Sequence, residues 1–283
     1  MSWLKILRAA VKKNGTRQFF FYLSNLDASR FIKLTKVIEF LGDTRGMILD
    51  LGCGYSVFPE MLSNAKSGYI ALDLSKDACK YQNTQNISPI VADMRYLPFK
   101  SSSIPNIIAI SSIEHVPEDR LVFGEVSRVL KEDGTAIISV PFTDGTVEVK
   151  DIKHSHLLMN LLHRFTRFWR IVLGKEHLEY FIEQTATDSI MKCYNEEEIE
   201  GIMNQNDLSI EAIYTYEKGL QQRLWRIIPK GWFVLKDFIL GWMCWRLEER
   251  LLKMSRKGDG AVVKVRKKGG TYEFLEELTD QMK

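Results

Sequence analysis

Three aspartates close three short apolar runs within the first hundred residues, and glycines follow the first of them at once. The first run reads Met47-Ile-Leu-Asp50-Leu-Gly52-Cys-Gly54. An acidic side chain at the end of an apolar strand, with two glycines close behind, suits the holding of a small molecule. The carboxylate accepts hydrogen bonds, and glycine lets the backbone turn sharply and lets a ligand approach the main chain. Asp73 and Asp93 repeat the acidic strand end downstream, at the spacing of successive strand–helix units. A fourth apolar run, Ile104 to Ser111, leads into Ile-Glu-His-Val-Pro at 113–117. His115 lies just past it, and imidazole is the side chain best suited to taking a proton from a hydroxyl near neutral pH.

The elements that must position these residues are legible from periodicity. A helix is expected from about Ser29 to Leu41, closed by Gly42 and Gly46. Strands are expected over Met47 to Leu51, Tyr69 to Leu74, Ser88 to Ala92 and Ile104 to Ser111. Helices should intervene over about Pro59 to Ala65 and over Lys76 to Gln82, the latter capped by Ser75. Glu118 to Leu130 reads as a helix, Lys131 to Gly134 as a turn and Thr135 to Val140 as a fifth strand. Alternating strands and helices predict a doubly wound α/β sheet, with the strand C-terminal ends on one edge. Gly52, Gly54, Asp73, Asp93 and Ser111 then converge where ligands sit in such sheets. Further on, Asn195 caps an amphipathic helix to Gln205, and Leu208 to Tyr216 and Ala261 to Lys267 read as strands.

At 283 residues with a formal net charge of +3, the chain suits one large domain. The charge is unevenly placed. Residues 1–20 hold Lys5, Arg8, Lys12, Lys13 and Arg17 without an acid, and residues 220–257 hold nine Lys or Arg against three acids. The second stretch also carries Trp225, Trp232, Phe233, Phe238, Trp242 and Trp245. Basic and aromatic together favour a lid, a dimer contact or an anionic membrane surface over plain solvation. A helix is expected over residues 2–13, and an apolar, basic one from about Leu157 to Leu173 inside a long insertion. The four cysteines, Cys53, Cys79, Cys193 and Cys244, form no CxxC pair and read as reduced thiols of a cytoplasmic protein. No secretory signal and no membrane-spanning helix is expected; the most apolar stretch, Gly231 to Leu247, is interrupted by Lys236 and Asp237. His154, His156 and His163 read as loop or surface histidines, since no third ligand or pocket marks a zinc site.

The set of motifs resembles the class I S-adenosylmethionine-dependent methyltransferases of the broad small-molecule group. The strings that carry the resemblance are Ile-Leu-Asp-Leu-Gly-Cys-Gly (48–54), Ala-Leu-Asp-Leu-Ser (71–75), Ala-Asp-Met (92–94), Leu-Pro-Phe (97–99), Ile-Glu-His-Val-Pro (113–117) and Val-Leu-Lys-Glu-Asp-Gly-Thr (129–135). They cover roughly residues 29–142 and specify the family, not a substrate. Ser56 stands where many relatives have a third glycine. The resemblance implies a seven-stranded, mostly parallel, Rossmann-like sheet with helical insertions, and S-adenosylmethionine as cofactor. Gly52 and Gly54 would let the backbone pass the amino acid and ribose, and Asp50 would favour the cationic end. Asp73 would accept from the ribose hydroxyls, Asp93 from the adenine amino group. Met94 would pack on the ring, with Ile110 and Ser111 lining the methionine part. His115 is the candidate general base. Some related quinone O-methyltransferases bind a metal through an acidic residue three positions before the Glu-His pair; that position here is Ser111, so no metal is expected.

One methyltransferase domain over 1–283 is therefore expected. It comprises an N-terminal helical extension (1–28), a cofactor-binding core (29–142), helical insertions (143–194 and 218–257), and a last strand and tail (258–283). The expected reaction is transfer of a methyl group, to oxygen first of all, on a small or lipid-linked acceptor. Expected partners are that acceptor, an anionic membrane surface at which a cytoplasmic protein would sit peripherally, and a second copy of the chain. A nucleic acid is disfavoured, because the fourth strand lacks the Asn/Asp-Pro-Pro-aromatic tetrad that grips an exocyclic amine. Methylation of a nucleic acid or protein, and a non-catalytic binding role, are the alternatives.

Overall fold

The computed structural model describes residues 28–42, 46–54, 56, 68–83, 87–143, 148–152, 189–216 and 260–268. The expected helices over 2–13, 59–65 and 157–173, the histidines at 154, 156 and 163, Cys244 and the aromatic stretch 218–257 lie outside the described residues.

Helix α1 (Ala28–Leu41) precedes strand β1 (Ile48–Leu51). Strand β2 (Tyr69–Asp73), helix α2 (Lys76–Gln82) and strand β3 (Ile87–Val91) follow. Strand β4 (Ile104–Ile110), a 3-10 turn (Ile113–His115), helix α3 (Asp119–Val129) and strand β5 (Leu130–Pro141) complete the parallel part. A two-stranded ribbon of β6 (Glu148–Ile152) and β7 (Ser189–Cys193) comes next. Helix α4 (Glu196–Gln205), β8 (Leu208–Tyr216) and β9 (Gly260–Lys267) end the described chain.

Seven strands form one sheet in the order β3-β2-β1-β4-β5-β9-β8. The pairs from β3 to β5 are parallel, and β9 runs antiparallel to both β5 and β8. β1 and β4 are neighbours although the chain leaves β1 in the other direction, towards β2. Their junction is thus the topological switch point, where the crevice for a ligand opens.

The sequence explains this arrangement. All four residues of β1 are buried, as befits a central strand covered on both faces. Pro89 is tolerated because β3 is an edge strand, and Pro105 because the β4–β5 register shifts between Ile104 and Asn106. One apolar cluster packs α3 and α4 on a face built from Leu49, Leu51, Ile107, Ala109, Ile138 and Val263. A second packs α1, through Leu34, Val37 and Leu41, on Ile48, Ile108, Ile137 and Val262. Ser75 caps α2 by accepting from the N–H of Ala78 (3.3 Å), and Asn195 caps α4 by accepting from that of Glu198 (2.8 Å).

Two expectations are corrected. Lys131 to Gly134 is no separate turn; strand β5 already begins at Leu130, and these residues are the surplus where Ile104 pairs with Leu130 but Asn106 with Thr135. The insertion placed at 143–194 was expected to be helical, but its described ends pair as the antiparallel ribbon β6–β7. That ribbon is tied to α3. Asp119 accepts from Lys192 (2.9 Å) and from the Tyr194 hydroxyl (2.8 Å), and Lys192 also reaches Glu198 at 2.7 Å. Only 4% of Asp119 is exposed, so its charge needs these partners.

Candidate active site

The turn after β1 is shaped by its neighbours on both sides. The N–H groups of Gly52 and Cys53 both donate to the carbonyl of Leu72 on β2 (2.8 and 3.1 Å). Across the switch point, Ser112 donates its hydroxyl to the carbonyl of Leu51 (2.7 Å), closing β1 against the end of β4. Gly52 has φ +73°, and a Cβ there would run into the Cβ of Ser112 and lie 3.1 Å from the Met94 methyl. Gly54 has φ +49°, but nothing lies within 4 Å of where its Cβ would be. The first glycine is thus required by packing and conformation, while the second leaves open space beside its backbone. We expect Gly52→Ala to lose about 2–5 kcal/mol, summing left-handed strain and overpacking. Urea unfolding reads this directly, and an unchanged midpoint would refute the packing account.

Asp73 ends β2 beside this turn. Its Oδ2 accepts from the Gly54 N–H (2.9 Å) and its Oδ1 from the Ser75 N–H (2.8 Å). A carboxylate has about four acceptor positions, so two remain for hydroxyls of a ligand. Leu74, next in the chain, is 71% exposed. A large apolar side chain in water beside an oriented carboxylate suits the face of a planar ring.

Asp50 is only 3% exposed and accepts from the Tyr69 hydroxyl at 2.7 Å. Burial pushes its carboxyl up to about 7; the Tyr69 bond opposes that shift and the nearby Asp73 charge adds to it. Burial, with the neighbouring Asp50 charge, pushes the Tyr69 hydroxyl up as well.

Asp93 reaches the same edge already engaged. Arg95 forks onto it, Nε at 3.1 Å from both oxygens and a terminal nitrogen at 2.7 Å from Oδ2, while its other terminal nitrogen bonds Glu118. The Arg95 hydrogen bonds hold the Asp93 carboxyl below its usual range. Met94 is half-buried over the Gly52 turn.

Ile110 packs against the α1-side cluster, and Ser111 follows it with φ +51°, a left-handed conformation that a non-glycine residue adopts at a cost of about 1–2 kcal/mol. Lys33 on α1 donates its ammonium to the Ser111 hydroxyl at 2.5 Å. His115 is exposed on the 3-10 turn just beyond, its N–H donating to the Ser112 carbonyl (3.2 Å). Glu114 is buried, and among the described residues no group of acidic, His and Cys side chains could hold a metal ion.

The fold therefore brings Gly52, Gly54, Asp73, Asp93, Met94, Ile110, Ser111 and His115 to one edge, with Asp50 buried behind the turn. Sequence reading missed Lys33, Leu74, Gln82 and Ser112. Gln82 had a usable signal, because it follows Ala78 and Cys79 on the buried stripe of α2. Lys33 had none, because nothing in a helix sequence tells which strand end a lysine will reach.

A Rossmann-like seven-stranded sheet with this Gly turn and acidic β2 end defines the methyltransferase fold class. Residues 49–138 match the family model of a methyltransferase domain. The chain is 26% identical to an uncharacterised protein of Methanocaldococcus jannaschii over 195 residues, 68% of this chain and 70% of that one. It is 26% identical over 151 residues to the biotin biosynthesis bifunctional protein BioHC of Cellvibrio japonicus, covering 52% of this chain and 27% of that one. It is 30% identical over 105 residues to an uncharacterised chloroplastic methyltransferase of Arabidopsis thaliana, covering 32% of this chain and 30% of that one. Among solved structures, the fold is shared with a 1,6-didemethyltoxoflavin N1-methyltransferase of Burkholderia thailandensis (TM-score 0.52, 12% identity, 86% of this chain and 80% of that one). That enzyme was crystallised with S-adenosylhomocysteine. The fold is shared also with the [4+2]-cyclase SpnF (TM-score 0.51, 12% identity, 83% and 81%).

The chain carries a methyltransferase domain and is a methyltransferase enzyme. The residues present fit S-adenosylmethionine as a cofactor: the open side of Gly54, the two remaining acceptor positions of Asp73, and the exposed Leu74 offer a cradle, a hydroxyl partner and an apolar face.

Proposed function

We propose that this chain transfers a methyl group to an oxygen of a small or lipid-linked acceptor. The observation that carries the reading is the convergence of Gly54, Asp73 and Leu74 with Ser111 and His115 at one sheet edge. When bound, the cofactor supplies a methyl group on a sulfonium, which leaves to an incoming nucleophile. The chain's own residues hold and orient it. Asp73 accepts from the ribose hydroxyls, Leu74 and Met94 cover the adenine, and Asp93 offers the amino group an acceptor beside the Arg95 fork. Lys33, held at Ser111, attracts the carboxylate end, and the ionised form of Asp50 favours the cationic end. Most of the rate enhancement then comes from positioning. His115, exposed beyond β4, takes the hydroxyl proton as the acceptor attacks.

Support for a small acceptor comes from a cavity of about 580 Å³ at the same edge, within the range of ligand pockets. Phe142, Thr143, Asn195, Ile213 and Thr215 line it, and the exposed Glu196 and Glu197 stand at its rim. Two carboxylates there weigh against a polyanion such as nucleic acid. The lipid-linked acceptor, the peripheral membrane contact and the second copy of the chain rest on the basic, aromatic composition of residues 218–257. The cytoplasmic placement rests on cysteines kept as thiols, as Cys53, Cys79 and Cys193 are.

The test is transfer of labelled methyl groups from S-adenosylmethionine to panels of hydroxylated metabolites, vesicle-borne lipids, RNA and protein. Label in an ether or ester of the first two panels, lost roughly a hundredfold in His115→Ala, supports the reading. Label in RNA or protein alone overturns it.

A further inference from the structure

We propose that Gln82 is a positioning residue that presets the cofactor turn, an inference that rests on the cofactor site described above. Gln82 closes α2 and is fully buried, with 0% of its surface exposed. Its side-chain nitrogen, a donor with two hydrogens, bonds the carbonyls of both Gly54 and Ser56 at 2.8 Å. Two acceptors on one turn are thereby matched to the two hydrogens of one amide group.

Gly54 is consequently held from both ends of its peptide units. Its N–H is fixed by Asp73 and its carbonyl by Gln82. Both anchors belong to the same β2–α2 unit, and Ser75, which joins them, also donates to Asp73. A glycine with an open side would otherwise sample many conformations, and the binding of a ligand would have to fix them. An amide donor buried beneath the turn meets that entropic cost during folding instead. Ser56 stands where a further glycine would leave the turn looser, and Gln82 grips that residue too. The chemistry demands a donor: a carboxylate at 82 would face two carbonyl oxygens, and an alkyl group would leave both without their partner.

The experiment uses the full-length chain and the variants Gln82→Leu, Gln82→Met and Gln82→Glu. Cofactor binding is measured by calorimetry, and backbone amide exchange is followed by NMR without ligand. In Gln82→Met, which keeps the length and flexibility of the side chain but has no donor, we expect the Kd for S-adenosylmethionine to rise roughly tenfold to a hundredfold. Exchange of the Gly54 amide should quicken by about the same factor, while the amides of Ala71 and Leu72 in β2 keep their protection. Gln82→Glu should bind more weakly than Gln82→Met, because it adds repulsion to the loss of the donor. A merely structural role would quicken exchange at all these amides together and leave affinity near wild type once the protein is folded; that result overturns the proposal. Should Gln82→Leu not fold, Gln82→Met decides. If wild type binds and Gln82→Met binds equally well, the positioning role is refuted and the site stands. If wild type itself does not bind, the cofactor site as assigned is at fault.

Discussion

Asp73→Ala is expected to abolish tight cofactor binding while leaving the sheet intact. The Asp73 carboxylate is oriented by the N–H groups of Gly54 and Ser75, which leaves two of its acceptor positions for a ligand. On the proposed reading, two ribose hydroxyls donate to it. A hydrogen bond to a charged partner contributes about 1.5–3 kcal/mol, so the pair is worth about 3–6 kcal/mol, a hundredfold or more in Kd. Loss of the Gly54 anchor adds to this, since the N–H side of the turn is then released and only its carbonyl side stays held, by Gln82. The variant is expected to unfold cooperatively, because the buried residues of β2, Tyr69, Ala71 and Leu72, are untouched. Calorimetric titration beside thermal unfolding checks both parts. Binding within threefold of wild type by a folded Asp73→Ala protein would remove Asp73 from the site.

The second large effect is a dependence of stability on pH centred on Asp50. Its carboxyl is raised to about 7 in the folded chain, chiefly by burial, whereas in the unfolded chain it titrates near the ordinary aspartate value. The folded state therefore holds a proton that the unfolded state has released. The stability this represents is fully present below about pH 4 and is lost as pH rises through about 7. A shift of this size corresponds to about 4 kcal/mol at most. Asp50→Asn keeps an oxygen for the Tyr69 hydroxyl and removes the charge. It should match wild type near pH 4 and exceed it increasingly up to pH 8, as read from urea midpoints. Parallel curves for the two proteins would show that Asp50 does not titrate in this window. Asp73→Ala should lower the Asp50 value, since the Asp73 charge is among its causes. In the proposed site the bound cation favours ionised Asp50, so cofactor binding near pH 6.5 should release protons, measurable by calorimetry in buffers of different ionisation enthalpy.

These effects join the local chemistry to the fold. Asp50 and Asp73 lie on paired neighbours, β1 and β2, in register with Ala71 and Val91 respectively. One carboxylate is sealed behind the turn and the other stands at its front. The β1–β4 switch point then brings Ser112, sixty residues further along the chain, against Gly52 and the carbonyl of Leu51.

The sequence by itself determined the parallel sheet, its edge and most of its strands. β1, β2 and β4 are short apolar runs with turn residues at their ends, and α2 and α4 carry their caps in Ser75 and Asn195. Such signals are local, since capping, glycine turns and periodicity act within a few residues. The sequence also named the residues that meet at the edge, because a parallel sheet with right-handed crossovers leaves little choice of where strand ends go.

Only the tertiary structure decided what those residues touch. It alone showed Asp50 sealed against Tyr69, Asp93 gripped by Arg95, and Lys33 reaching Ser111 from a helix seventy-eight positions earlier. It replaced the expected turn at Lys131 to Gly134 by a register shift, and gave the insertion a β-ribbon base tied to Asp119. Side-chain partners are set by packing between elements distant in the chain. Periodicity says which face of an element is buried, but not which residue of another element meets it there.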